Sequence, residues 1–499
     1  MRLDELTKGL VAPSAADRGG VEPVEISALA YDSRAARPGS LFFCVPGFAS
    51  DGHDFAPAAV GAGAAALIVE RPLGLGVPEV LVADARAAMA PVAARFYGEP
   101  ARELQTLGVT GTNGKTTTAY LARALLEGAG VRCGLLGTVK SVIGGRELEV
   151  QRTTPEAIDL QADLRAMLDG GDRACVMEVS SHALELHRAA AIPFAAAIFT
   201  NLTQDHLDFH PTMEDYFAAK RLLFVPAAGP PPRISAINAA DPYGARLLGE
   251  LDGATSFGVE VDADYSARDL RCGFSGCSFT LRTPEGTHEL ALPMPGHFNV
   301  ANALGALAAV HGLGFELDGL LETLRSGVRV PGRFEPVDEG QDFAVLVDYA
   351  HTPDSLENVL GAARELARGG RVICAFGAGG DRDRGKRPLM GAIAARAADL
   401  AIVTSDNPRS EDPDAIIAEI LAGAQAERGR AGARVVSEAD RREAIAAAIG
   451  AAHGGDVVVI AGKGHEQGQE FEGGRKLPFD DVAVARELLV GRAHAGALS

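Results

Sequence analysis

Short apolar runs that stop at glycine or at polar clusters alternate along this chain with longer stretches rich in Ala, Leu, Glu and Arg. Up to about residue 100, VEISALAYDSR, SLFFCVPG, ALIVE and VLVAD predict short strands beside an Ala-rich helix, a small mixed α/β unit. Gly98 and Pro100 in FYGEPAREL break the preceding helix and mark a boundary. From Glu103, LQTLGVT predicts a strand, KTTTAYLARALLEGAG a helix and VRCGLLGTV a strand, and RACVMEVS and AAAIFTNL are further apolar runs ending in polar clusters. Between about Ser266 and Leu292 the pattern becomes hairpin-like. After PGR at 331–333, AVLVDYAH, RVICAFGAGG, LAIVTSDNP and DVVVIAGKG each end an apolar run in glycine or polar residues. This alternation predicts parallel, doubly wound sheets with loops at the C-terminal strand ends. No internal repeat of fixed period is present. The expected organisation is three consecutive α/β domains, at 1–100, 101–330 and 331–499, with ligand sites where strand ends face one another.

Composition narrows the class. The chain has 499 residues, 47% of them hydrophobic and 23% charged, which excludes wholesale disorder. Its net charge of −19 argues against broad nucleic-acid binding but leaves room for a local anion pocket. No apolar run approaches the roughly 20 residues that cross a bilayer, and MRLDELTKGL has no apolar core followed by a cleavage site. A cytoplasmic protein without membrane insertion is expected. The six cysteines are scattered. Only Cys272 and Cys277 lie close together, without zinc spacing, so thiols in a reducing cytosol are expected.

GVTGTNGKTTT places a glycine-rich turn between a predicted strand and a predicted helix. Gly111, Thr112, Asn113 and Gly114 can curl backbone N–H groups around an anion, and the helix N-terminus that follows adds its dipole. Lys115 can reach the β- and γ-phosphates of ATP, and the Thr116 hydroxyl, followed by Thr117, can ligate Mg²⁺. The general phosphate-loop pattern has glycine where Val109 stands. EVSSHAL and NLTQDHLDFH follow two apolar strands. If those strands are adjacent, Glu178 and His206 share one sheet edge and can hold a second Mg²⁺. An isolated histidine would read as a cap or core residue, but Asp205, His206, Asp208 and His210 cluster at a strand end.

The loop GTNGKTT and the segments after it resemble the Mur ligase family of ATP-dependent amide-bond-forming enzymes, over essentially the whole chain. The resemblance implies a central P-loop ATPase-like domain and a C-terminal Rossmann-like domain, with ATP as co-substrate and Mg²⁺ as cofactor. It assigns Glu178 and His206 to metal binding, and carbamylated Lys220 of AAKRLLF as a further metal ligand. Asn302 of PGHFNVANA is implied as an adenine contact, Arg333 of GRFE as a phosphate neighbour and Asp348 of VDYAH as a ribose neighbour. In the N-terminal part, Ser33 of YDSR is implied at the uridine nucleotide, with Phe48, Ala49 and Ser50 as weaker matches. Thr153, Thr154, Ser180, Ser181 and Arg188 match positions that meet the muramyl dipeptide, whereas Leu186 departs from the glutamine of well-known relatives.

Arg382, the tetrad Asp406, Asn407, Pro408 and Arg409, and Gly462 with Glu466 all follow predicted strands of one sheet and should converge on one mouth. Arginine there can grip a carboxylate and Glu466 an ammonium, which suits a zwitterion with an extra charged end. By resemblance DNPR is the form associated with meso-diaminopimelate. The implied substrates are UDP-N-acetylmuramoyl-dipeptide, meso-diaminopimelate and ATP, handled by a monomer. A lysine acceptor, a folylpolyglutamate synthetase, a P-loop motor and a non-catalytic nucleotide-binding module are the competing readings.

Overall fold

The computed structural model describes residues 1–10, 24–47, 50–150, 152–207, 209–367, 369–427 and 433–497. Contacts divide them into two compact units. One comprises Met1–Thr110, Gly130–Ala197 and Ala218–Arg233, and the other Gly111–Ala129, Ile198–Phe217 and Ile234–Ser499.

The first unit opens with four short strands, β1 (Ala28–Ala30), β2 (Ser40–Phe43), β3 (Ala66–Val69) and β4 (Glu79–Leu81). They pair in parallel in chain order. Every residue of β2 and β3 is buried, as expected for central parallel strands written as unbroken apolar runs. The helix Ala85–Phe96 starts at Asp84, whose carboxylate accepts the Ala87 N–H at 2.8 Å. Its Met89 and Val92 join Leu41, Phe43 and Ile68 in one core.

The same unit holds β5 (Gln105–Thr110), β6 (Cys133–Leu136), β7 (Ser141–Ile143), β8 (Arg146–Leu148), β9 (Ala174–Glu178) and the start of β10 (Ala196–Phe199). Their order is β10-β5-β9-β6-β7-β8. One expectation is corrected here: β9 and β10 are not neighbours, because β5 runs between them. The chain crosses to β9 on one side of β5 and to β10 on the other, so the sheet grows outward from the strand that leads into the phosphate loop. Gly108 in β5 admits the Phe194 ring. A Cβ there would lie 2.9 Å from it.

In the second unit, β11 (Ile234–Asn238), β12 (Thr255–Val259) and β13 (Tyr265–Gly273) pair in parallel. β14 (Gly276–Thr283) and β15 (Gly286–Leu292) continue as the expected antiparallel meander. Cys272 and Cys277 are register partners across the β13–β14 turn, with Cα atoms 4.1 Å apart, and form a disulfide. The expectation of thiols throughout is therefore corrected for this pair, which the tight hairpin brings face to face. Cys44, Cys133, Cys175 and Cys374 are buried and in no disulfide. The helix Lys115–Gly128 packs on the helix His297–Gly312.

The C-terminal sheet of this unit contains β16 (Glu335–Pro336), β17 (Ala344–Asp348), β18 (Val372–Phe376), β19 (Leu400–Val403), β20 (Arg434–Ser437) and β21 (Val457–Ala461). The order is β16-β17-β21-β18-β19-β20, with only β16 antiparallel. Apolar clusters cover both faces, so β21 is buried along its whole length. A two-stranded ribbon, β22 (Gly468–Glu470) and β23 (Lys476–Pro478), follows β21. This order sets the C-terminal ends of β17, β21, β18 and β19 side by side. No helix among the described residues is long and apolar enough to cross a membrane.

Candidate active site

The phosphate loop is built in the second unit by close packing of glycine. Gly111 and Gly114 have φ of +149° and +85°. A Cβ at Gly111 would lie 1.9 Å from Thr200 Oγ1, and one at Gly114 would lie 2.3 Å from Asn302 Oδ1. Side chains brace the loop from outside. The Asn113 N–H donates to Asn201 Oδ1 (2.9 Å), and Thr200 Oγ1 donates to the Asn113 carbonyl (2.6 Å). Thr112 and Thr203 exchange hydroxyl and backbone bonds of 3.1 and 3.0 Å. Asn113 Nδ2 donates to Asp354 Oδ2 at 2.5 Å. Lys115 Nζ folds back onto the carbonyls of Gly111 (2.9 Å) and Thr112 (2.8 Å). Arg333 donates from Nη2 to Thr116 Oγ1 (2.9 Å), and its guanidinium lies 4.6 Å above the Tyr349 ring. Thr117 is buried. Asn302 is buried too, accepting from Thr118 Oγ1 at 3.2 Å.

Two carboxylates near strand ends of this unit are tuned in opposite directions. Asp348 ends β17 and accepts the N–H groups of Phe334 (2.7 Å) and Ala350 (2.8 Å). Burial pushes its carboxyl up to about 6, against the pull of Arg333 and those two N–H groups. For Asp205 burial also acts upward, but His206, His351 and Lys386 outweigh it and hold the carboxyl below the usual range. His206 has φ of +55°, a conformation that costs a side-chain-bearing residue on the order of 1 kcal/mol. Its N–H bonds Asp205 Oδ1 at 2.9 Å, and its ring stands edge-on to Tyr216. His210 is buried and stacked on Tyr216. Asp208 lies outside the described residues. Burial and the neighbouring Lys386 pull the pKa of His351 down, and burial does the same to Lys386.

At the ends of β21, β18 and β19 a charged mouth forms. Lys463 is fully buried. Its Nζ donates to Asn407 Oδ1 (2.9 Å) and Glu466 Oε2 (3.0 Å) and stands 3.6 Å from Asp406 Oδ1. Asn407 Nδ2 donates to the same Glu466 oxygen at 2.8 Å. Arg409 has φ of +52°; its Nε donates to Glu470 (3.0 Å) and its Nη1 to the Gly380 carbonyl (2.7 Å). Gly462, at φ +121°, leaves its nearest space to Asp406. The Pro408 carbonyl sits where a Cβ on Gly380 would fall, 1.9 Å away. Arg382 is exposed, and its Nη1 turns back to the Asp381 carbonyl (3.0 Å).

In the first unit, Glu178 ends β9 and is 1% exposed. Thr138 donates to it twice, from N–H at 2.7 Å and from Oγ1 at 3.1 Å. Thr154 Oγ1 donates to the Glu178 carbonyl (2.8 Å), while the Thr153 and Thr138 hydroxyls pair at 3.1 Å. Ser180 caps the helix Ser181–Glu185 by accepting the Ala183 N–H. Ser181 is buried. Arg188 donates to the Thr154 carbonyl (3.3 Å) and pairs with Glu156 at 2.8 Å. These residues therefore form one connected group. Ser33 opens a one-turn helix capped by Asp32. Lys220 is 1% exposed. Phe48 and Ala49 lie outside the described residues. Among the described residues no group of three or more His, Cys, Asp or Glu side chains is gathered to hold a metal.

Family models match along most of the chain: Mur ligase family, catalytic domain, at 25–98; Mur ligase middle domain at 109–310; and Mur ligase, glutamate ligase domain, at 332–464. A UDP-N-acetylmuramoyl-L-alanyl-D-glutamate–2,6-diaminopimelate ligase of Syntrophomonas wolfei subsp. wolfei is 46% identical over 99% of this chain and 100% of its own. The chain belongs to the Mur ligase family. A Geobacillus kaustophilus protein of the same name is 48% identical over 93% of this chain and 94% of its own. A solved structure with that ligase's name superposes on this Mur ligase with a TM-score of 0.68 at 32% identity, covering 97% of this chain and 100% of that one.

Several residues that shape the sites of this Mur ligase escaped the sequence reading. Lys463 lies inside DVVVIAGKG and Lys386 four residues after Arg382, yet neither is among the residues the sequence points to. The available signal for Lys463 was its place between two glycines, straight after five apolar residues. Glu470 and Asp354 carried no such signal, because each acts on a partner distant in sequence.

Proposed function

We propose that this chain is the ATP-dependent ligase that adds meso-2,6-diaminopimelate to the D-Glu of UDP-N-acetylmuramoyl-L-Ala-D-Glu, in peptidoglycan precursor synthesis. The single observation that carries the acceptor choice is the mouth around Arg409, where that guanidinium, paired with Glu470, and the Glu466 carboxylate, paired with Asn407 and Lys463, lie within one loop cluster. A zwitterion with a second carboxylate matches both charges. The full-length likeness to relatives bearing that ligase's name supports the same reading.

The chemistry follows from the poor electrophilicity of a carboxylate. The D-Glu side-chain carboxylate attacks the γ-phosphorus of ATP, giving an acyl phosphate and ADP. The acceptor amine, after losing a proton, attacks the acyl carbon, and inorganic phosphate leaves with one carboxylate oxygen. Gly111, Thr112, Asn113, Gly114, Thr116 and Thr117 cradle the phosphates with backbone N–H and hydroxyl groups. Lys115 is drawn from the loop carbonyls onto the transferring phosphoryl group. Asn302 meets adenine, Arg333 the phosphates and Asp348 the ribose. Ser33, Thr153, Thr154, Ser180, Ser181 and Arg188 hold the uridine-nucleotide substrate. Arg382, Asp406, Asn407, Pro408, Arg409, Gly462 and Glu466 hold diaminopimelate.

Thr116, Glu178, His206 and Lys220 as its carbamate are the proposed donors for Mg²⁺. A hydroxyl and a buried carboxylate held by two Thr138 bonds are the hard donors that this cation prefers. The cation would neutralise charge on the ATP phosphates. The domain limits 1–100, 101–330 and 331–499 assign one domain each to the uridine nucleotide, ATP and the amino acid, in a cytoplasmic monomer.

The test is ADP release with ATP, the muramyl-dipeptide nucleotide and a panel of amino acids, singly and together. Release should require both the nucleotide and an acceptor, with diaminopimelate preferred to lysine. Arg409→Ala should erase that preference. Equal use of lysine by the unaltered protein, or turnover without an acceptor, would overturn the reading.

A further inference from the structure

The Arg409 guanidinium already has partners. A carboxylate grips arginine in bidentate fashion along the Nε/Nη2 edge or the Nη1/Nη2 edge. Here Nε donates to Glu470 Oε2 (3.0 Å) and Nη1 to the Gly380 carbonyl (2.7 Å), so one atom of each edge is taken. The two partners differ in freedom. The Gly380 carbonyl belongs to backbone tied by the Gly380 N–H to Asn407 O (2.9 Å), in a loop packed so tightly that a Cβ would strike Pro408. The Glu470 side chain is 42% exposed, and its carboxylate makes no other hydrogen bond among the described residues. Its backbone is fixed instead: the Glu470 N–H donates to Asn407 Oδ1 (2.9 Å), and the Glu470 carbonyl accepts the Arg409 N–H (3.0 Å). The same contacts hold Arg409 at φ +52°.

We propose that Glu470 is a resident carboxylate that occupies Arg409 until an acceptor binds, and that an acceptor's distal carboxylate binds by exchanging with it. This rests on the reading of Arg409 as an acceptor contact. Glu470 is thus an affinity-setting residue. It keeps the guanidinium paired and aimed when no acceptor is present, and acceptor affinity reflects the difference between two ion pairs.

Glu470→Gln separates exchange from mere positioning, because the amide oxygen still accepts from Nε while the competing charge is gone. The KM for diaminopimelate in the ADP-release assay should fall about two- to fivefold, the range of a partly exposed ion pair. The effect should appear in KM rather than kcat. That KM should also rise more steeply with salt in the variant, since binding then creates a new ion pair instead of replacing one. Glu470→Asp, too short to reach Nε unchanged, should fall between the variant and the unaltered protein. An unchanged or raised KM in Glu470→Gln, with diaminopimelate still used by the unaltered protein, would overturn the exchange alone. If the unaltered protein released no ADP with diaminopimelate, the acceptor reading would fail, and the exchange with it.

Discussion

The phosphate loop and the acceptor mouth solve the recognition of charged ligands in opposite ways. In the loop, Gly111 and Gly114 leave no room for side chains, and the donors are mainly backbone N–H groups at the start of a fourteen-residue helix. In the mouth, the donors and acceptors are long side chains that satisfy one another: Lys463 with Asn407 and Glu466, and Arg409 with Glu470. On the proposed function, a phosphate entering the loop has only to draw the Lys115 ammonium off the Gly111 and Thr112 carbonyls. An amino acid entering the mouth has to exchange ion pairs. The first arrangement favours a ligand shared by many enzymes. The second lets small changes in side chains set which acceptor is used.

The largest effect should come from the one long side chain of the loop. Lys115→Ala should lower ADP release with both substrates by on the order of a thousandfold, because a cation aimed at the transferring group is lost. ADP binding, measured by calorimetry, should survive in large part on the backbone donors. Loss of both to the same extent would break the contrast drawn between backbone and side-chain recognition.

In the mouth the corresponding substitution should harm folding. Lys463→Met leaves the buried Asp406 and the half-buried Glu466 without their counter-charge and should destabilise the protein by about 3 kcal/mol in urea unfolding. A loss confined to acceptor KM would mean that the network is looser than its bonds indicate.

Asp348 gives a smaller, pH-dependent effect. Its carboxyl titrates at about 6 in the fold against an ordinary 3.8, so the folded chain holds that proton longer than the unfolded one. Ionising it costs stability, which therefore falls as pH rises from about 4 to about 6 and is level above. The full difference is about 3 kcal/mol at most. Asp348→Asn removes this dependence. Its stability relative to the unaltered protein should improve by up to that amount between pH 4 and pH 7, and a constant difference would contradict the tuning by burial.

Much of the fold was legible because central parallel strands are buried on both faces and appear as unbroken apolar runs, as in SLFF and VVVIA. The convergence of the loops that carry Arg382, DNPR and Glu466 was legible for the same reason: each follows such a run. The adjacency of β9 and β10 was not, because strand order depends on which way each crossover passes β5. The loop was readable as a motif, since glycine spacing and a strand–helix context fix its shape. The internal pairing of the mouth was not, because the Arg409–Glu470 and Asn407–Lys463 bonds join residues about 60 positions apart (|i−j| 61 and 56). The left-handed backbone of His206 and Arg409 was equally hidden: arginine does not favour it, and histidine, though enriched there, adopts it only rarely.

The central claim is that the acid is activated as an acyl phosphate before the amine attacks. The most direct test supplies UDP-N-acetylmuramoyl-L-Ala-D-Glu labelled with ¹⁸O in the D-Glu side-chain carboxylate, together with ATP and diaminopimelate, and weighs the released inorganic phosphate by mass spectrometry. The account predicts one ¹⁸O atom per phosphate released; unlabelled phosphate alongside amide product would contradict it.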